Sequence, residues 1–214
     1  MKRKIFLRCI ICAFLLVVLV VGVAEYLQRD ISDGIVRLHI IANSDSEDDQ
    51  RIKIEVRDAV LAAQKEIFPD GIKKELSPQE SELLTATAQR VLGEQGVDYG
   101  VRVEMGKYYF PTKKYDNITL PAGDYDAVRV VLGQGEGRNW WCVMYPPLCF
   151  TESMLGIAED ESKDILKEEM GKFGYEIISE ENIKTVPAFK IVEIWQQFKE
   201  KLKKFYMPEL RRWH

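Results

Sequence analysis

Two histidines occur in the chain, His39 and the terminal His214, so any histidine-dependent triad has to use His39. Paired with Cys142 or Cys149 it would make a thiol nucleophile and base. His39 lies on a predicted strand face turned to solvent, however, where a histidine more often does no chemistry. Asp124 and Asp126 flank Tyr125 and project from one side of a strand. Paired carboxylates can serve as acid and base, but beside Pro121-Ala122-Gly123 they equally cap and solvate a turn. Gly133, Gly135 and Gly137 lack the GxGxxG spacing and lead into a tryptophan-rich strand, not the helix that a phosphate cradle needs. The carboxylates of Asn43-Ser44-Asp45-Ser46-Glu47-Asp48-Asp49 suggest calcium, yet the loop has no glycine at its sixth position and no bidentate glutamate at its twelfth. They suit a helix start instead. Ser44 with Glu47 can form a capping box, or Ser46 can cap, and acidic side chains favour the positive end of the helix dipole. The residues therefore predict no catalytic set, no cofactor site and no metal site.

The N-terminus decides the compartment. Lys2, Arg3, Lys4 and Arg8 precede Cys9 to Ala24, an uninterrupted apolar run. It is slightly long for a signal-peptide core and slightly short for a membrane span. Gly22-Val23-Ala24 puts small residues where signal peptidase cleaves, before Glu25. The flanking cations hold the N-terminus in the cytoplasm and send the rest outside. Cys9 and Cys12 form a CxxC inside lipid-facing sequence, and neither follows a lipoprotein signal. Cys142 and Cys149 lie beyond the membrane, where a pair reads first as a disulfide. Such a bridge would hold Tyr145-Pro146-Pro147-Leu148 as an aromatic-proline knuckle; two free buried thiols are the alternative.

Positioning these residues requires a sheet. Ile35 to Ala42 reads as a strand with Val36, Leu38, Ile40 and Ala42 on one face and Arg37 and His39 on the other. Ile52, Val56, Ala59, Val60, Ala63 and Ile67 recur at helical spacing until Pro69-Asp70-Gly71. Ser77-Pro78-Gln79-Glu80 opens a second helix, with Leu84, Ala88 and Val91 on its buried side. Val97, Tyr99, Val101, Val103 and Met105 alternate with polar residues, the pattern of a sheet with one wet face. Tyr108 to Pro111 and Ile118 to Pro121 are short extended pieces. Tyr125 to Leu132 and Trp140 to Tyr145 are strands joined through the glycines as a hairpin. The expected fold is α+β, an antiparallel or mixed sheet with two helices packed on one face. The organisation is a signal peptide or membrane anchor (1–24), a spacer (25–34), an extracytoplasmic α+β domain (35–150), an acidic connecting segment (151–186) with a short helix around Ile165, Leu166 and Met170, and a basic amphipathic helix (187–214).

Overall the chain carries a net charge of −4. Both ends are basic and the body between them is strongly acidic. Nucleic-acid binding wants a basic face on the folded domain, so no nucleic-acid partner is expected.

Leu120-Pro121-Ala122-Gly123-Asp124-Tyr125-Asp126-Ala127-Val128-Arg129-Val130, followed by Gly133 to Phe150 with Asn139-Trp140-Trp141-Cys142 and Pro146-Pro147-Leu148-Cys149-Phe150, resembles the stage II sporulation protein R family. Arg37 to Leu61 and Lys107 to Gly123 fit the same family. The resemblance covers about half of the chain, in three blocks in family order. It implies a protein made in the forespore and sent into the space between the two sporulation membranes, secreted or membrane-anchored. There it would activate a membrane-embedded aspartic-type protease of the mother cell, which processes the precursor of the sigma-E factor. The resemblance brings no catalytic residues, and the chain lacks the Asp-Thr-Gly or Asp-Ser-Gly motif of that protease. It implies a signal and not an enzyme. The alternatives are an extracytoplasmic hydrolase using Asp124 and Asp126, or a structural cell-envelope domain.

Two surfaces follow. Trp140 and Trp141 are adjacent, so on a strand they face opposite sides. The outward one, with Tyr145, Pro146 and Pro147, forms the expected partner-binding surface; the alternative is that the C-terminal segment covers it internally. In the C-terminal helix Trp195, Phe198 and Leu202 form an apolar stripe beside Lys199, Lys203 and Lys204, and its expected partner is a membrane surface or the domain's own sheet.

Overall fold

The computed structural model describes residues 2–68, 72, 75–115, 118–146, 159–179, 194–195 and 198. Helix α1 (Lys2–Asp33) leads into strand β1 (Val36–Ile41), followed by α2 (Glu47–Ala62), the short α3 (Gln64–Ile67) and α4 (Pro78–Glu94). Strands β2 (Val101–Phe110), β3 (Lys113–Tyr115), β4 (Ile118–Leu120), β5 (Gly123–Leu132) and β6 (Asn139–Tyr145) come next, and α5 (Glu159–Ile178) closes the described elements.

The main sheet has the order β2-β5-β1-β6. It is mixed. Strand β1 runs parallel to β5 and antiparallel to β6, while the ion pairs Glu104–Arg129 and Lys107–Asp126 advance in opposite directions along β2 and β5 and so make that pair antiparallel. Strands β5 and β6 are not a hairpin, because β1 lies between them. Their connection crosses the end of β1 and is clipped there: the Glu136 and Gly137 amides donate to the carbonyls of Asn43 and Ala42 at 3.1 and 3.0 Å. The Gln134 amide donates to Asn43 Oδ1 at 3.0 Å and the Arg138 amide to Asp45 Oδ1 at 2.7 Å. Gly133 is required here twice over. Its φ is 55°, and a Cβ would lie against Asn43 Oδ1.

One face of the sheet carries the expected helices. Ile52, Val56, Val60 and Leu61 of α2 and Leu84, Ala88, Val91 and Leu92 of α4 form one core with Leu38, Ile40, Val128, Val130, Leu132, Cys142 and Met144. Ser46, not Ser44, caps α2, accepting from the Asp49 amide at 3.2 Å. Helix α2 ends earlier than its periodicity suggests, at Ala62, with α3 set off from it by Ala63. Ser77 and Glu80 form a capping box on α4. Gly96, with φ 71°, terminates that helix as the Gly96 and Val97 amides donate back to Gly93 and Leu92. That stop keeps Val97 and Tyr99 out of the strand predicted for them, although both still pack on the core. Strand β2 starts at Val101 and runs on to Phe110, absorbing the separate extended piece. Helix α5 is longer than the short helix expected, and buries Leu166, Met170 and Ile178.

By contacts the chain forms two compact units. Residues 32–110 and 124–171 make the sheet-and-helix unit just described. Residues 1–31, 111–123 and 172–214 make the other. In this second unit β3 pairs antiparallel with β4, and Ile118 bridges to Ser179. Gly123 packs against the Gln28 side chain so closely that a Cβ would overlap it. Helix α1 is long and apolar enough to cross a membrane, and its side chains from Ile5 to Val20 are exposed. An exported or membrane-anchored chain needs such a segment.

Candidate functional site: edge strand β6 and the aromatic face behind it

Strand β6 lies at one edge of the sheet and carries the two tryptophans on opposite faces. Its register on β1 pairs Leu38 with Cys142, His39 with Trp141 and Ile40 with Trp140. Between Val36 and Arg37 the register shifts, leaving Met144 as the extra residue of a bulge. The Met144 carbonyl is satisfied by Gln64 Nε2 of α3 at 2.9 Å.

Trp140 turns toward the helices. It is half-buried against the core, with the Arg57 guanidinium 4.5 Å above its ring. Trp141 turns to the other face and stacks on His39, ring centroids 3.8 Å apart. Phe110 meets Trp141 edge-on at 4.7 Å and Tyr125 at 5.9 Å. The Arg37 guanidinium sits 4.1 Å from the Phe110 centroid and 4.9 Å from that of Tyr125. The face expected to be wet is therefore dry at its centre: Arg37 is 0% and His39 6% exposed. The reason is β1's central position. Strands flank it on both sides, and aromatic rings from β2, β5 and β6 roof its polar residues, replacing lost hydration of Arg37 with cation–π contact.

His39 Nε2 and the Asn139 side-chain amide are hydrogen-bonded at 2.9 Å, while Nδ1 has no hydrogen-bond partner among the described residues. Burial, reinforced by the charges of Arg129 and Arg37 and opposed by the Asn139 bond, lowers its pKa to about 4. The imidazole is neutral at pH 7. It is a packed ring in an aromatic stack, and its face is covered by Trp141.

The other sequence-predicted residues are placed as follows. Cys142 is fully buried and disulfide-bonded, whereas Cys9 and Cys12 are free; Cys149 lies outside the described residues. Tyr145 is half-buried and its hydroxyl donates to Glu169 Oε1 at 2.9 Å. Burial first, then that bond to a carboxylate, pushes the phenol pKa up. Pro146 is buried, and Pro147 lies outside the described residues. Asp124 is half-buried; Asp126 is 5% exposed and accepts from Lys107 Nζ at 3.5 Å. Trp195 and Phe198 are described and pack ring against ring at 5.9 Å, while Lys199, Leu202, Lys203 and Lys204 lie outside the described residues.

A second polar cluster, at the end of the sheet where β1 and β5 finish, was not expected. Asp49 accepts from Ser44 Oγ, from Asn43 Nδ2 at 2.9 Å and from Tyr99 Oη at 2.9 Å. Burial works against its ionised form, but these hydrogen bonds outweigh it and hold the carboxyl below its ordinary pKa. Tyr99 is pushed beyond the usual phenol range by burial and by Asp49. Lys53 is 4% exposed, and its Nζ donates to Gln50 Oε1 at 2.6 Å and the Arg138 carbonyl at 2.9 Å. This cluster ties the start of α2 to both loops. The Ser/Asp run 44–49 signalled it; Tyr99 and Lys53 carried no local signal.

The family model for stage II sporulation protein R matches residues 32–155, a range that holds the whole of the main sheet, Trp140, Trp141, Cys142 and Cys149. The chain belongs to the stage II sporulation protein R family. It is 37% identical over 188 residues to the stage II sporulation protein R of Bacillus subtilis (strain 168), covering 79% of this chain and 82% of that protein. No solved structure matches it. The family range begins at the last residues of α1 and ends beyond β6, so the aromatic face and its edge strand are family territory.

Proposed function

We propose that this chain is a sporulation signal of the forespore, exported through or anchored by α1 into the space between the two sporulation membranes. There it activates the membrane-embedded aspartic-type protease of the mother cell that processes pro-sigma-E. Family membership over residues 32–155 carries this reading, and α1 supplies the segment that export or anchoring needs. The chain acts by binding. Its contact surface is the end of β6 with Trp141, Tyr145 and Pro147; Pro146, expected in that surface, is buried and supports it from beneath, and Trp140 braces it from the helix side. Aromatic rings supply apolar area for a partner. Cys142 is disulfide-bonded, and with Cys149 as its partner the bridge would limit the conformations of the residues between them before the partner arrives, which lowers the ordering cost of binding.

The test is complementation. Sporulating cells lacking their own family member are given this chain under a forespore promoter, and pro-sigma-E is followed by immunoblot. Conversion to the mature factor is expected, and none is expected with a version whose residues 1–24 are replaced by a soluble leader. Conversion by that cytoplasmic version would overturn the reading.

A further inference from the structure

The apolar run of α1 has a defined outer end. Cys9 to Ala24 rises about 24 Å as a helix, and a hydrocarbon core of about 30 Å needs roughly 20 residues. Counting outward from Arg8 puts the far boundary within a turn of Glu25, Tyr26 and Gln28. A carboxylate, a tyrosine exposed at 69% and a buried amide there replace the lipid-facing aliphatic residues.

Against this level of α1 lies Trp195. Trp195 Nε1 donates to Glu25 Oε1 at 2.8 Å. The bond joins residues 170 positions apart in sequence and belongs to a single compact unit. Ile194, Trp195 and Phe198 are helical. Trp195 is half-buried, while Ile194 and Phe198 are 60% and 50% exposed. Outside α1 the described residues expose only one other large hydrophobic, Leu83 at 36%. Among the other described residues outside α1 such side chains are covered, so these two stand out. Lys190, Lys199, Lys201, Lys203 and Lys204 surround them in sequence.

We infer that Ile194, Trp195 and Phe198 sit in the headgroup region of the membrane crossed by α1, hung from the helix by the Trp195–Glu25 hydrogen bond, with anionic phospholipid as the partner. An indole with its N–H bonded at the polar level and its ring toward acyl chains is the ordinary interfacial arrangement. The neighbouring lysines are complementary to anionic headgroups. The bond also shields Glu25, a carboxylate that would otherwise meet the same anionic surface. This contact anchors the second unit at the membrane from both ends of the chain. It rests on α1 remaining attached and not on the protease partnership.

The experiment uses the full-length protein in phosphatidylglycerol-containing vesicles, with bromine on the lipid chains either near the headgroup or near the chain end. Wild type is compared with Trp195→Phe, so that the difference isolates one tryptophan while the other three are common to both. Shallow bromines are expected to quench most of the difference emission and deep bromines little of it. Glu25→Gln should weaken the depth preference. Phe198→Trp, which adds a ring at an exposed position, should add shallow-quenched emission and serves where Trp195→Phe does not reconstitute. Equal quenching in wild type and Trp195→Phe, together with unquenched emission from Phe198→Trp, would overturn the inference, as would recovery of the native protein without residues 1–24. Normal quenching with no pro-sigma-E conversion would instead overturn the signalling role alone.

Discussion

Acidification should weaken the sheet unit through His39. The imidazole is 6% exposed and its pKa is lowered to about 4 from 6.5, because burial in the stack with Trp141 disfavours the charged ring. The unfolded chain binds a proton near pH 6.5 and the folded chain only near pH 4. Between these values the unfolded state holds more protons, so stability rises with pH in that window. The contribution is fully present above 6.5 and is lost as pH falls through the window toward 4. A separation of about 2.5 units corresponds to a ceiling of roughly 3 kcal/mol, of which about 2 kcal/mol is gone by pH 5. The measurement is urea unfolding of the detergent-solubilised chain at pH 7.5 and pH 5, wild type beside His39→Phe. Phenylalanine keeps a stacked ring and removes the titration, and carboxylates such as Asp49 respond alike in both proteins. The wild type should lose about 2 kcal/mol more than the variant. Equal losses would refute the buried neutral imidazole and the aromatic roof from which it was argued.

Trp141→Ala should cost about 3 kcal/mol in the same unfolding assay, since it strips the ring from His39 and Phe110. Tyr145→Ala gives up one exposed-side hydrogen bond to Glu169 and should cost about 1 kcal/mol while abolishing pro-sigma-E conversion; conversion at the wild-type level would remove Tyr145 from the contact surface. Gly133→Ala forces a side chain into positive φ and into Asn43, and should destabilise by about 2 kcal/mol, read as a shifted urea midpoint. Cys142→Ser should lower stability by roughly 2–3 kcal/mol, with wild type falling to the same value in reductant.

Helices were legible because their signals are local. The Ser46 and Ser77 caps and the apolar stripes of α2 and α4 depend on neighbours within a turn or two, and all four appear as helix starts and buried faces. Strand identity was legible for β1, β5 and β6, as was the opposite facing of Trp140 and Trp141, which follows from the pleat alone. Strand order was not. Glycines between β5 and β6 look the same whether the chain doubles back or steps over β1, and only the pairing with Ala42 and Asn43 decides. For the same reason Arg37 and His39 looked solvated: the rings that cover them, Phe110, Tyr125 and Trp141, lie more than seventy positions away in sequence. At the candidate site the residues could be named, but their partners, Arg57 on Trp140 and Glu169 on Tyr145, come from helices with no sequence tie to β6.

Contact between the β6 edge and the protease can be read by site-specific photo-cross-linking in sporulating cells. A photoreactive phenylalanine derivative replaces Tyr145 in this chain, and a control carries it at Arg90, exposed on α4 and paired only with Glu94 at 2.8 Å among the described residues. Irradiation should give an adduct containing the membrane-embedded protease from position 145 and none from position 90. No protease adduct at 145 in cells where the Arg90-substituted protein still supports pro-sigma-E conversion, or equal adducts from both positions, would contradict the account.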